Sequence, residues 1–401
     1  MTPAQVIGMP NAPTANPTPI GAIVQGNFSN NPSYLPCDGL DYPASYPGLD
    51  LTGLATLGAN AWTARTLPVT QLWTAVAFGN SMFVAVGLGF SSGYVATSTG
   101  ASSPDGATWT GRTLPSGIWN GVIYAGGQFV AFGQTNGSGN VGVCATSPDG
   151  ITWTQRTVPN LGITGMTYAN GLYVAFGFAG SGLATVNYIT SSDGITWTTR
   201  SMPSSVSWRY ATVLNNVFYA SSVDIDGAGG AGSFLAISSD GINWTSRQTP
   251  LSFGAYGLWA FNGRLITTNL SSIFQSTNQG FSWDTGTNLL NGYSCAEALG
   301  ANTVTFGFAI LNGLMLASGP SYTLPRVMKS IDGYSSVPLL MPSNTYWGAF
   351  AYGNGTIVCI GGGYSSVTTN AAASIPFDTT KFRTPRMVRV NDTDRYYIKV
   401  K

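Results

Sequence analysis

One seven-residue element constrains this chain more than any other feature, because it recurs four times in nearly the same form at a spacing of 44 to 47 residues. The copies are Ser103, Asp105, Gly106 and Trp109; Ser147, Asp149, Gly150 and Trp153; Ser191, Asp193, Gly194 and Trp197; and Ser238, Asp240, Gly241 and Trp244. A fifth, Ser276, Asn278, Gly280 and Trp283, has Asn for Asp and one added residue, and a sixth, Ser330, Asp332 and Gly333, lacks the Trp. Repetition at this period means a chain built from stacked copies of one small unit.

Between copies lies a hairpin. An alternating strand meets a tight turn, Gly126-Gly127 or Asn170-Gly171, and a strongly apolar strand follows, as in Phe129 to Phe132 and Tyr173 to Phe176. Apolar strands of this kind centre near residues 83, 129, 173, 218, 265, 315 and 357. Each unit supplies four strands: one before the hairpin turn, one after it, one running into the Ser-x-Asp-Gly turn, and one starting at the Trp. Four-stranded sheets repeated seven times predict an all-β, seven-bladed β-propeller over residues 51–375. A lone Trp62-Thr-Ala-Arg65 run, with no such turn before it, predicts that residues 62–66 form the outer strand of the last blade, whose other strands come from 346–375. The ring would then close by joining its two ends.

Composition narrows the function. Charged residues are 8% of the 401, and no histidine occurs, which removes an imidazole base, a Ser-His or Cys-His nucleophile and a His-ligated metal. A formal charge of +1 gives no long-range attraction to nucleic acid, and no stretch has the ~18 apolar residues of a membrane helix. Neither partner is expected. Cys37, Cys144, Cys295 and Cys359 lie far apart with no metal spacing, so they read as small core residues, with neither metal nor cofactor expected. The first basic residue is Arg65, so no secretory signal is expected. Seven bases against Asp392 and Asp394 make residues 381–401 locally basic, a solvated or intersubunit segment, with docking onto an acidic partner or surface polysaccharide as the alternative.

The repeated turn resembles the Asp-box of sialidases and other propellers, which joins the third and fourth strands of a blade. That resemblance implies a structural role: the carboxylate accepts backbone N–H groups, Gly takes a positive φ, and Trp supplies apolar area between blades. Sialidases use an arginine triad, a Tyr-Glu pair and an acidic Asp, and the match fails here. Glu297 is the single Glu, and Arg209, Arg264 and Arg326 are the propeller arginines outside the repeat. A glycosidase needs two carboxyls ~5 to 9.5 Å apart. Asp224 with Asp226, or Asp50 with Asp284, are the spare candidates, and a non-enzymatic protein is expected.

The two ends resemble the phage tail-collar family. Pro19, Gly21 and Ile23 match its first strand, Tyr34 to Cys37, Asp38 and Gly39 its second strand and turn, and Tyr46-Pro47 a following segment. Phe382 and Pro385 match a late element, and Tyr397, Ile398 and Lys399 a terminal strand. The resemblance implies a collar-like domain in two halves, 18–50 and 376–401, interrupted by the propeller and preceded by an extended arm at 1–17. It further implies a homotrimeric virion tail protein, made in the host cytoplasm and partnered by other tail proteins.

In such a blade the hairpin turns and Ser-x-Asp-Gly turns share one end, while loops of unequal length occupy the other: 88–93, 134–142, 178–186 and 222–233. Recognition is expected at the irregular end. Trp73, Trp119, Trp208, Tyr256 and Trp347, with Arg209 beside Trp208, lie where those loops enter the innermost strands, and they could stack on sugar rings. The expected function is adhesion to a host surface glycan or protein receptor. A purely structural virion fitting is the alternative, and a sialidase-like glycosidase a third reading.

Overall fold

The structure, a computed structural model, describes residues 5–6, 23–25, 34–36, 41–43, 55–57, 62–88, 90–91, 95–96, 99–135, 141–179, 187–203, 206, 208–222, 234–249, 257–261, 263–268, 273–284, 308–311, 314–318, 326–330, 337–342, 347–361, 369–383 and 396–399. Among these there are strands and turns and no helix. The chain divides into two compact units, one of Met1–Ala59, Asn312–Leu314 and Pro376–Lys401, the other of Asn60–Leu311 and Met315–Ile375.

In the first unit the chain ends share a sheet. Terminal strand Tyr396–Lys399 lies between Ile23–Gln25 and Tyr34–Pro36, with Ile398 opposite both Ile23 and Leu35. Gln5–Val6 adds an edge strand on Val24 and Gln25. Of the segment read as an extended arm, residues 1–17, only Gln5–Val6 is described, and there the extended chain adds to a sheet edge whose N–H and C=O groups would otherwise lack partners. Residues 376–383 pair with Asp41–Pro43 and Ala55–Leu57. Pro19, Gly21, Cys37, Asp38, Gly39 and Pro385 lie outside the described residues, whereas Phe382, Tyr397, Ile398 and Lys399 stand in strands.

The second unit is a succession of small antiparallel sheets, each a meander. Ile118–Ala125, Gln128–Gln134, Gly142–Ser147 and Thr154–Arg156 form one; Leu161–Ala169 to Thr198–Ser201 and Trp208–Leu214 to Thr245–Gln248 form the next two. Leu258–Phe261, Arg264–Thr268 and Ile273–Ser276 give three described strands, and Phe308–Leu311, Leu314–Ser318, Arg326–Ser330 and Val337–Leu340 four. Strand Thr63–Gly79 serves two sheets. Its residues 72–79 pair with Met82–Leu88, while residues 63–66 pair with 371–374 beyond Trp347–Gly353 and Thr356–Gly361.

Strands Met82–Leu88, Gln128–Gln134, Leu172–Ala179 and Thr356–Gly361 have apolar stretches without alternation because both of their faces are covered. Phe83 and Ala85 pack with Val358, Ile360 and Ala372, while Val84 and Val86, pointing the other way, pack with Trp119, Phe129 and Val143. The pattern repeats as Val130 and Phe132 join Tyr173 and Ile189, and as Val174 and Phe176 join Phe218 and Trp244. The core therefore consists of layers between neighbouring sheets, and each fully buried Phe or Val contributes ~1.5–3 kcal/mol.

The Ser-x-Asp-Gly turns hold themselves together. Ser191 Oγ donates to Asp193 Oδ1 at 2.9 Å and accepts from Gly194 N at 2.8 Å, while Asp193 Oδ1 also accepts from Ile195 N and Thr196 N at 2.8 Å. Ser103, Ser147 and Ser238 repeat the arrangement with Asp105, Asp149 and Asp240. Gly106, Gly150, Gly194 and Gly241 hold φ between 70° and 73°, the left-handed region open to glycine. In the fifth copy Asn278 Oδ1 takes the Ser276 hydroxyl instead.

These bonds lower the acids. The amides of Thr196 and Ile195, with the Ser191 hydroxyl, draw Asp193 down to about 2, and Asp105, Asp149 and Asp240 are lowered for the same reason. A carboxylate lowered in the folded state supports folding above its unfolded value near 3.8, and that support fades as pH falls through the folded value. With no histidine to titrate, the midpoint of thermal unfolding should stay level from pH 8 to 5 and fall between pH 4 and 2. Asp193→Asn, which keeps an acceptor as Asn278 does, should reduce that acid slope; differential scanning calorimetry across pH checks both.

Side chains also fasten several sheets to their neighbours. Asn80 Nδ2, in the hairpin turn, donates to Pro148 O at 3.1 Å in the following Ser-x-Asp-Gly turn, and Asn170 Nδ2 reaches Ser239 O at 3.3 Å. Asn354 Nδ2 meets Pro104 O at 3.1 Å. The same likeness extends to packing: a Cβ on Gly79 would lie 1.8 Å from Tyr124, and one on Gly353 2.1 Å from Phe78. Gly106 stands over Val358 as Gly150 stands over Val84. The junction between the sheets from the two ends of this unit thus repeats its internal junctions.

Candidate functional site

Two loops of the irregular end have a hydrogen bond between their flanking residues. Thr135 N donates to Val141 O at 2.7 Å, and Phe234 N donates to Ser222 Oγ at 2.9 Å. In the loop at 88–93, Phe90–Ser91 pairs with Val95–Ala96. Residues 136–140, 180–186 and 223–233, and with them Asp224 and Asp226, lie outside the described residues, as do Tyr256, Glu297 and Asp50.

The tryptophans below these loops are interior. Trp73, Trp119 and Trp208 are 0–1% exposed and Trp347 is 4%. The stacking platform is corrected accordingly for these four: indoles packed in the layers between sheets present no face to a sugar. Trp73 lies against Phe83 and Leu67, Trp119 against Val122 and Phe129, and Trp208 against Phe218 and Ala220.

Each of these tryptophans marks a β-bulge that the sequence reading missed. Register shifts fall between Trp73 and Ala75, Trp119 and Gly121, Ile163 and Gly165, Trp208 and Tyr210, and Trp347 and Ala349. Bulges re-aim the extra residue. The re-aimed Thr74 Oγ1 donates to Trp119 O at 2.7 Å and Asn120 Nδ2 to Ile163 O at 2.8 Å, so two successive innermost strands are each tied to the next. Half-buried Arg209 is the one charged residue among the described bulge positions Thr74, Asn120, Thr164, Arg209 and Gly348.

A signal for most of the bulges was present in a glycine near the end of the apolar strand. Gly87, Gly133 and Gly177 stand opposite Trp73, Trp119 and Ile163, and a Cβ there would lie 2.4, 1.9 and 1.9 Å from the carbonyl oxygens of Leu72, Ile118 and Gly162. Ser222 takes this place opposite Trp208.

The remaining polar candidates have structural partners. Asp284 Oδ1 accepts from Gln275 N at 2.8 Å, and Asp284 N donates to Gln275 O, so this acid extends a strand edge. Arg264 Nη1 donates to Gln275 Oε1 at 3.1 Å. Cys144 and Cys359 are buried; desolvation pushes the Cys144 thiol up to about 12 and raises that of Cys359, making both poor nucleophiles. Among the described residues no group of three or more Cys, Asp or Glu side chains is placed to hold a metal ion.

The assembly of small meander sheets has relatives among solved structures. Virginiamycin B lyase from Staphylococcus aureus matches with a TM-score of 0.56 at 9% identity, covering 79% of this chain and 98% of the lyase. The WD40 β-propeller domain of Doa1 matches at 0.52 and 14%, over 80% of this chain and 98% of the domain. YCF48 from Cyanidioschyzon merolae matches at 0.51 and 11%, over 79% and 98%. The fold is all-β and propeller-like. No protein-family model and no curated protein matches the chain.

Proposed function

We propose that this chain is a non-enzymatic virion tail protein whose propeller carries a host-recognition surface on its irregular loops. The proposed architecture is a closed ring of seven Asp-box blades, inserted in sequence between the two halves of a collar-like domain formed by the chain ends. The observation that carries the reading is the contrast between the two ends of the sheets: one is fastened by repeated self-bonded turns, the other bears loops of unequal length, two of them with a hydrogen bond between their flanking residues. Rigid scaffold below and variable loops above is the arrangement used for binding. The likeness of residues 19–39 and 382–399 to the tail-collar family supplies the virion setting and the homotrimer, in which three weak contacts combine into firm attachment.

The lyase likeness favours no enzyme reading. A catalytically inactive variant of that lyase, solved with quinupristin, has a histidine replaced by alanine, and this chain has no histidine. Fold likeness alone does not carry chemistry across. The test is saturable binding of the labelled full-length protein to bacterial cells and competition with adsorption of the virion that carries it.

A further inference from the structure

The fourth strands of the sheets carry an arginine whose Nε is tied to a hydroxyl on the neighbouring strand. Arg65 donates to Ser374 Oγ, Arg112 to Ser102 Oγ, Arg156 to Thr146 Oγ1 and Arg200 to Thr190 Oγ1, all at 2.8–3.0 Å. Arg247 departs from this. Ile237 occupies the hydroxyl position, opposite Thr245 as Thr190 is opposite Thr198, and Arg247 Nε is buried with no acceptor. The guanidinium instead lies 3.7 Å from the centre of the Phe281 ring and donates through Nη2 to Gln279 O.

Phe281 belongs to the irregular fifth turn, one residue after Gly280, where the other copies have Ala107, Ile151, Ile195 and Ile242. The three isoleucines are 38–41% exposed; Phe281 is 67% exposed. The added residue, Gln279, holds φ at 60° and presents the carbonyl that receives Arg247. Three departures from the repeat, Ile237, the added Gln279 and Phe281, therefore meet at one place and produce one arrangement: a cation over one face of an aromatic ring whose remaining surface is open.

We propose that Phe281 and Arg247 form a second binding site, at the Ser-x-Asp-Gly end of the sheets, for a sugar ring bearing a carboxylate. The open ring surface of Phe281 suits the apolar face of a pyranose. The guanidinium, already held against that ring by a cation–π contact, supplies the positive charge that attracts the acid. The four hydroxyl-tied arginines have no aromatic partner of this kind at the matching turn position and are not part of the site.

The test uses the folded full-length protein with polygalacturonate, a polymer of uronic acid, and dextran, a neutral one, by isothermal titration calorimetry. The expected result is binding to polygalacturonate and not dextran, weakened at least tenfold in Phe281→Ala. Ile237→Thr, which removes nothing from the site and offers Arg247 the hydroxyl found elsewhere, should weaken binding several-fold, and circular dichroism verifies the fold of both variants. No binding by the unmodified protein overturns the proposal, as does equal binding by Phe281→Ala, which would assign the attraction to the basic residues 381–401. Because the probe is purified polymer and the substitutions lie away from the loops, failure here leaves adhesion to cells separately testable.

Discussion

Replacing Trp62 with Ala should destabilise the second unit as severely as replacing Trp244, by about 3–5 kcal/mol each. Trp62 lies before the first strand of this unit in sequence yet is 5% exposed, with its ring 6.4 Å from that of Phe350 near the far end. Trp244, 9% exposed, packs in the internal layer that holds Phe176 and Phe218. If the pairing of residues 63–66 with 371–374 is as firm as the internal sheets, as the Arg65 bond to Ser374 indicates, the two substitutions remove equivalent packing. Denaturant titration followed by tryptophan fluorescence reads both. A loss below about 1 kcal/mol for Trp62→Ala, beside several for Trp244→Ala, would mean that this pairing opens ahead of the rest.

Gly133→Ala should cost about 3 kcal/mol or more, at or beyond the upper end of ordinary overpacking. The added methyl would sit 1.9 Å from Ile118 O and 3.0 Å from Asn120 N, and both are backbone atoms that cannot swing aside. Relief requires undoing the bulge at Trp119, which would also separate Asn120 from Ile163 O. Gly127→Ala is the control. Its φ of 82° is unfavourable for alanine but nothing lies within 4 Å, so a cost near 1–2 kcal/mol is expected. Equal costs at the two positions would contradict the role given to the bulge.

These two predictions separate what the sequence disclosed from what it did not. The Ser-x-Asp-Gly-x-x-Trp period revealed the strand order, and the lone Trp62 run pointed to the strand that pairs with 371–374, because a repeat missing its first half must find that half elsewhere. Burial of Trp73, Trp119, Trp208 and Trp347 was not legible: a Trp at a strand start has the same composition whether it faces a ligand or the next sheet. The bulge decides which, and its trace is the paired glycine one strand away, visible only once register is known. Asn80, Asn170 and Asn354 hold the positive φ of their hairpin turns, yet their amides also reach the next sheet, a contact that no local pattern encodes. The departure at Ile237 was hidden because an apolar residue in a strand looks ordinary until the matching positions are aligned through the hydrogen bonds of their arginines.

The most direct measurement of the functional claim is competition at the cell surface. Labelled full-length protein is titrated onto the bacterial cells that the parent virion infects, beside a variant in which residues 136–140, 180–186 and 223–233 are replaced by Gly-Ser segments of equal length. Adhesion through the loops predicts saturable binding that blocks virion adsorption, lost in the exchanged variant while its thermal unfolding is unchanged. Absence of saturable binding by the folded protein, or undiminished binding after the exchange, would contradict it.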